Sequence, residues 1–286
     1  MKSVTKALSN GFTAVAVALT ISGSSFAASD TLLNSAKSGG EVRLGFANEV
    51  PWAYPGEGNA PLGFVNTIVI NTLKSMGIEN LAPVVSDWAG LIPGIKANRY
   101  DIVTGGMYIL KKRCENMDFS DPIGVFGDVL VVAKGNPKNL HNYQDVINTK
   151  SILVTGTGYN TIDVAKSEGV PDGDLMLVPG PTEMLAALLA GRADAIVTNT
   201  FTAQELADQS DGKAELSDPS KMPEFTLNWV GIGFRAEDSG FREAYNVAQA
   251  KYIGTEEMLA AVAEYGYTKD QLPGANASTE FACANR

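Results

Sequence analysis

The sequence predicts an α/β protein built as two lobes, with the chain crossing between them twice. Two observations carry the expectation. Strand-like and helix-like segments alternate from residue 41 to 104 and again from 151 to 198, and a turn-rich break follows near 134–139 and near 219–228. Alternation at this spacing marks βαβ units around a parallel sheet. Length agrees, since 286 residues exceed the usual single-domain size and can bury two modest cores.

The chain opens with Lys2 and Lys6, an apolar run over residues 12–21, and Ser25-Phe26-Ala27. This pattern reads as a secretory signal over residues 1–27, cleaved after Ala27, because the run is shorter than the roughly 20 apolar residues that span a bilayer. The mature chain is expected outside the cytoplasm. Removing Lys2 and Lys6 lowers the basic residues from 22 to 20 against 32 acidic ones, a formal net charge of −12. Such a surface, without a lysine or arginine run, repels phosphate backbones, so nucleic acid is not an expected partner. Cys114 and Cys283 are the two cysteines. In an oxidising compartment the pair is most simply a disulfide, with two free thiols as the alternative. Two Cys and the single His141 do not make a Cys/His metal site, and no cofactor is expected.

Residues 41–47 (EVRLGFA) form the first expected strand, followed by the loop NEVPWAYPGEGNAP with Glu49, Trp52 and Tyr54. Apolar residues at 64, 65, 68, 69, 73 and 76 make a helical stripe closed by Gly77,. A second strand is expected at 81–86, a helix from Trp88 to about Asn98, and a third strand at 100–104. Pro93 falls inside that helix and should weaken or bend it. The apolar run 124–133 reads as a strand leaving the first lobe. The first lobe is thus residues 40–133 with 229–286, and the second is 134–228. The second lobe repeats the order: strand 151–155, helix 159–167, strand 175–178, helix 182–189, strand 194–198. A strand at 229–235 returns the chain, and helices at 239–253 and 256–265 follow.

In parallel sheets ligands sit beyond the carboxyl ends of the strands. Glu49 and Trp52 follow the first strand, Trp88 the second, and Gly105, Gly106, Tyr108 and Arg113 the third, so all are expected at one site. Glycines let a backbone approach a bound molecule closely, Tyr108 offers an aromatic face, and Arg113 offers a planar fork for a carboxylate. In the second lobe the turn GTGYNT (156–161) opens a helix whose free N–H groups suit an anion. It lacks the lysine and spacing of a P-loop.

YDIVTGGM (100–107) with an arginine close behind, FSDP (119–122), GTGYNT and GRADAIVTN (191–199) together resemble the periplasmic solute-binding proteins of ABC importers for polar amino acids, solute-binding family 3. Within it, GFANEVPW (45–52), DWAGLIPGIKANRYDIVTGGMYI (87–109), KRCE (112–115) and KGNPKNLHNYQDV (134–146) resemble the ectoine/hydroxyectoine-binding members. The resemblance implies the type II two-lobe periplasmic binding protein fold with two hinge crossings. It also implies a periplasmic monomer, a small zwitterionic solute such as ectoine or hydroxyectoine as ligand, with a betaine or a polar or modified amino acid as the alternative, and a membrane permease as partner. It further implies an aromatic box of Trp52, Trp88 and Tyr108, with Glu49 and Arg113 as charged contacts and Thr157, Thr161 and Asn199 from the second lobe. The chain departs from the amino-acid binders at Asn199, where they carry an aspartate for the ligand's ammonium, and at Leu110, where they carry a threonine near its carboxylate. An enzyme on this fold, such as a dehydratase, is not expected, because no nucleophile–His–acid set can be assembled.

Overall fold

The computed structural model describes residues 31–286, so the signal expected over residues 1–27 lies outside the described residues. Among the described residues no helix is long and apolar enough to cross a membrane. The first lobe begins with α1 (Thr31–Lys37), β1 (Val42–Phe46), the small hairpin β2 (Tyr54–Pro55) and β3 (Pro61–Leu62), and α2 (Phe64–Ser75). It continues with β4 (Leu81–Val85), α3 (Leu91–Lys96), β5 (Ile102–Tyr108), α4 (Lys111–Cys114), β6 (Asp118–Phe119) and β7 (Gly124–Phe126). The second lobe comprises β8 (Asp128–Ala133), α5 (Tyr143–Thr149), β9 (Leu153–Gly156), α6 (Asn160–Glu168), β10 (Leu175–Val178), α7 (Pro181–Leu189), β11 (Ala195–Asn199), α8 (Thr200–Asp208) and β12 (Ala214–Leu216). The chain returns through β13 (Asn228–Phe234) and ends in α9 (Ser239–Tyr252), α10 (Glu256–Val262) and α11 (Thr279–Asn285).

Each lobe is one sheet with helices on both faces. The first sheet has the order β4-β1-β5-β13-β6, with β7 also on β13; β4, β1 and β5 are parallel and β13 runs against β5. The second has the order β10-β9-β11-β8-β12; β10, β9 and β11 are parallel and β8 runs against β11. In both lobes the strand that has just crossed from the other lobe is antiparallel to the βαβ strands.

The first crossing differs from its expected place. The apolar run 124–133 is two strands broken at Gly127: β7 stays in the first sheet and β8 joins the second. The crossing therefore falls at Gly127, several residues before Lys134. Hydropathy does not separate the two strands, because both are buried in sheets.

Pro93 causes no conflict. It is the third residue of α3, preceded by the 3-10 turn Trp88–Gly90, and a first-turn N–H has no helical partner to lose. A larger departure concerns β5, which continues through Gly105 and Gly106 to Tyr108 instead of ending at Thr104. Its pairing with β13 shifts register between Gly231 and Gly233, and Gly106 has φ +76°, a value other residues rarely adopt.

The first core lies between the sheet and α2, α9 and α10, around Leu44, Phe46, Phe64, Ile68, Phe234 and Tyr245. A second cluster on the opposite face includes Tyr100, Val103, Met107 and Phe119, with Cys114 and Cys283 packed against it. The Cys114–Cys283 disulfide is formed, with the Cα atoms 5.6 Å apart. It fastens α11 onto α4, and the Lys111 N–H donates to the Arg286 carbonyl at 2.7 Å beside it.

Candidate functional site

The two sheets face each other across a cavity of about 20 Å3 lined by Glu49, Trp52, Trp88, Gly106, Tyr108 and Arg113 from the first lobe. Tyr159, Asn160, Thr161 and Asn199 line it from the second. A larger, open groove of about 750 Å3 runs past Lys112, Asp163 and Phe281, but its Lys112–Asp163 pair is solvated, with side chains 78% and 65% exposed. Glu49 and Arg113, both buried, converge in the smaller cavity, and we place the candidate site there.

Glu49 sits in a closed turn after β1: its N–H donates to the Ala53 carbonyl at 2.9 Å and the Ala53 N–H returns the bond at 3.0 Å. Burial pushes its carboxyl up to about 7, against the lowering effects of the Tyr159 hydroxyl and the Arg113 charge,. Arg113 lies on the single turn α4, buried to 7% exposure. Its Nη1 donates to the Tyr108 carbonyl at 3.0 Å, Nη2 reaches the Gly158 carbonyl at 3.5 Å, and its guanidinium lies 5.8 Å from the Trp88 ring centre. Burial lowers its pKa to about 10, so it stays charged at neutral pH.

The aromatic residues are not equivalent. Trp52 is 2% exposed and belongs to the first core, with ring centres 4.8 Å from Phe64 and 4.5 Å from Phe126; only part of it faces the cavity. Trp88 is half-buried and stands edge-on to Tyr159 at 5.4 Å. Tyr108 is buried, and its hydroxyl has no hydrogen-bond partner.

Gly105 and Gly106 serve these rings. A Cβ on Gly106 would stand 2.3 Å from Trp52, and one on Gly105 would stand 3.1 Å from Leu91 and 3.4 Å from Trp88. The close approach that the double glycine permits is thus by two tryptophans. Gly106 still lines the cavity, whereas Gly105 lies behind it.

From the second lobe, Thr161 lines the cavity while its hydroxyl shares a 2.6 Å hydrogen bond with Thr155. Thr157 is exposed and turned away, its N–H and hydroxyl both on the Val178 carbonyl at 2.8 and 3.2 Å. The first-turn N–H groups of Asn160 and Thr161 at the start of α6 have no intrahelical acceptor, and the Asn160 Nδ2 is buried without a partner. Asn199 caps α8: its Oδ1 accepts from the Thr202 N–H at 2.8 Å and from Trp52 Nε1 at 3.1 Å. Its Nδ2 donates to Thr202 Oγ1 at 3.0 Å.

Tyr159 and Asn160 line the cavity although only the glycines, hydroxyls and amides of GTGYNT drew attention in the sequence. The available signal was an aromatic residue in a turn opposite three aromatic loop residues.

Residues 42–267 match the bacterial extracellular solute-binding proteins, family 3. The chain belongs to this family. It is a solute-binding protein, not an enzyme, and its fold is that of the type II periplasmic binding proteins. It is 31% identical over 278 residues to the probable amino-acid ABC transporter periplasmic-binding protein y4tE of Sinorhizobium fredii, covering 95% of this chain and 92% of that one. It is 27% identical over 254 residues to the L-cystine-binding protein TcyJ of Escherichia coli, covering 88% and 85%. Among solved structures it is similar to EhuB in complex with hydroxyectoine, with TM-score 0.80, 25% identity, and coverage of 90% of this chain and 99% of that one. The family's extracellular description and these periplasmic relatives place the solute-binding protein in the periplasm.

Proposed function

We propose that this solute-binding protein captures a small zwitterionic compatible solute of the ectoine or hydroxyectoine class and presents it to the membrane permease of an ABC importer. The observation that carries the reading is the pair of buried opposite charges, Glu49 and Arg113, in one cavity walled by Trp52, Trp88 and Tyr108. A cyclic amidinium spreads its positive charge over a flat ring. It suits aromatic faces, each contributing about 1–2 kcal/mol once desolvated, while Glu49 accepts its N–H groups. Arg113 and the free N–H groups of Asn160 and Thr161 complement the carboxylate.

Asn199 supports the same ligand class. It is neutral, and its amide oxygen already accepts two hydrogen bonds. The second lobe therefore offers no carboxylate to a primary ammonium at that position. Likeness to the hydroxyectoine complex agrees with this chemistry.

Uptake requires the lobes to part, because about 20 Å3 holds little more than one water molecule. A solute that touches both lobes only when they close shifts the population toward closure by its differential affinity. The test is a thermal-shift and calorimetric screen of the monomer against ectoine, hydroxyectoine, glycine betaine, and arginine, cystine and other polar amino acids. Micromolar or tighter binding of the first two is expected. Binding confined to ordinary amino acids or to betaine overturns the ligand assignment.

A further inference from the structure

Three first-lobe groups of the proposed site carry partners from a single turn of the second lobe. The Tyr159 hydroxyl donates to Glu49 Oε1. The Gly158 carbonyl accepts from Trp88 Nε1 at 3.2 Å and lies 3.5 Å from Arg113 Nη2. The Tyr159 ring, 8% exposed, stands edge-on to Trp88 at 5.4 Å.

The turn is shaped for this seat. A Cβ on Gly156 would stand 2.6 Å from the Tyr159 ring, so the glycine makes room for it. Gly158 has φ +82°, and a Cβ there would meet the Ala89 backbone at 3.1 Å. The Tyr159 N–H is tied back to the Gly156 carbonyl at 3.1 Å, which holds the ring forward.

We propose that Gly158 and Tyr159 form a built-in competitor that sets the affinity threshold of the site: a carbonyl takes the arginine and a phenol takes the glutamate until a solute displaces both. The inference rests on the proposed function, because it assigns Glu49 and Arg113 to the solute. A neutral donor gains little by replacing a phenol on Glu49. A cationic N–H donor adds a second ionised partner, and with it a Coulombic attraction to the carboxylate that the phenol lacks. Every solute that takes Glu49 must displace the same phenol, so Tyr159 sets a threshold that a delocalised cation joined to a carboxylate clears and a neutral cyclic carboxylate of the same size does not. The groups facing Glu49 and taking part in this exchange are Tyr159 from the second lobe and Arg113 from the first.

Tyr159→Phe tests the inference, since it keeps the ring on Trp88 and removes only the hydroxyl. Calorimetry with ectoine and with pyroglutamate, a neutral lactam bearing a carboxylate, reads the gain for each solute. Small-angle scattering of the protein in buffer reads closure without any solute. The expected result is about threefold to tenfold tighter ectoine binding, a gain for pyroglutamate no larger than that for ectoine, and a larger radius of gyration in buffer.

Ectoine binding that is weaker or unchanged in Tyr159→Phe overturns the proposal, and a weakening makes the hydroxyl a solute contact. An unchanged radius in buffer also overturns it. Should the wild-type protein bind neither probe, the ectoine assignment fails on its own, and the scattering arm still decides whether the Tyr159 hydroxyl holds the lobes together.

Discussion

The two walls of the cavity are built differently. The first-lobe wall is continuous with a hydrophobic core: Trp52 packs on Phe64 and Phe126, Gly106 is cut to fit it, and Arg113 is held by the Tyr108 carbonyl next to the disulfide helix. The second-lobe wall is a turn and two helix starts, and several of its polar contacts reach across to the first lobe, from Tyr159 to Glu49 and from Asn199 to Trp52. The difference teaches that charge and shape are preorganised on one side, while the other side works as a lid whose contacts must be exchangeable.

Substitutions on the two walls should therefore separate stability from binding. Trp52→Ala is expected to cost ~3–5 kcal/mol of stability as well as binding, because it empties a core position; chemical denaturation measures it. A loss of binding with unchanged stability would show that Trp52 belongs to the site alone. Replacing Cys114 and Cys283 together by serine should cost ~2–4 kcal/mol, read in the same denaturation assay. On the lid, Asn199→Ala removes a helix cap and should cost only ~1 kcal/mol. Trp88→Ala, on a half-buried ring, should abolish solute binding in calorimetry with a much smaller stability change than Trp52→Ala. Equal stability losses at Trp52 and Asn199 would erase the distinction between wall and lid.

An effect of a different kind, read against pH, is expected at the crossing between the lobes. Burial raises the Asp128 carboxyl to about 8, with the neighbouring Tyr143 hydroxyl offsetting only part of the cost. Neither oxygen has a well-formed hydrogen bond. A carboxyl with a raised folded-state pKa binds more protons folded than unfolded. Its stabilisation is complete below the unfolded value near 4 and is lost as pH rises toward 8, by at most ~1.4 kcal/mol per pH unit. Asp128→Asn should flatten the fall of the melting temperature between pH 5 and 8. An unchanged slope would locate that pH dependence in other groups.

Much of the first-lobe wall was legible in the sequence because its residues follow the carboxyl ends of parallel strands, a position that strand order alone supplies. Glu49, Trp52, Trp88, Tyr108 and Arg113 were gathered in this way and do converge on one cavity. The part each plays was less legible. Gly105 and Gly106 looked like a loop because two glycines ordinarily end a strand, whereas the register shift against β13 carries β5 through them. Trp52 looked like a loop aromatic, since nothing local announces that Phe126 from the far end of the lobe packs on it. The lid was harder still. Tyr159 reaches the site only through the relative placement of two sheets, and the change of sheet at Gly127 has no hydropathy signal.

The most direct test of the buried charge pair is calorimetric titration of ectoine and hydroxyectoine in buffers of different ionisation heat, at pH 7 and pH 9, for the wild type and Glu49→Gln. With Glu49 held at about 7 by burial, a cationic solute lowers its pKa and drives off the proton. The account expects release of up to about half a proton per site at pH 7, none at pH 9, and none in Glu49→Gln, whose affinity should fall by about tenfold or more. Proton uptake at pH 7, or full affinity in Glu49→Gln, would contradict it.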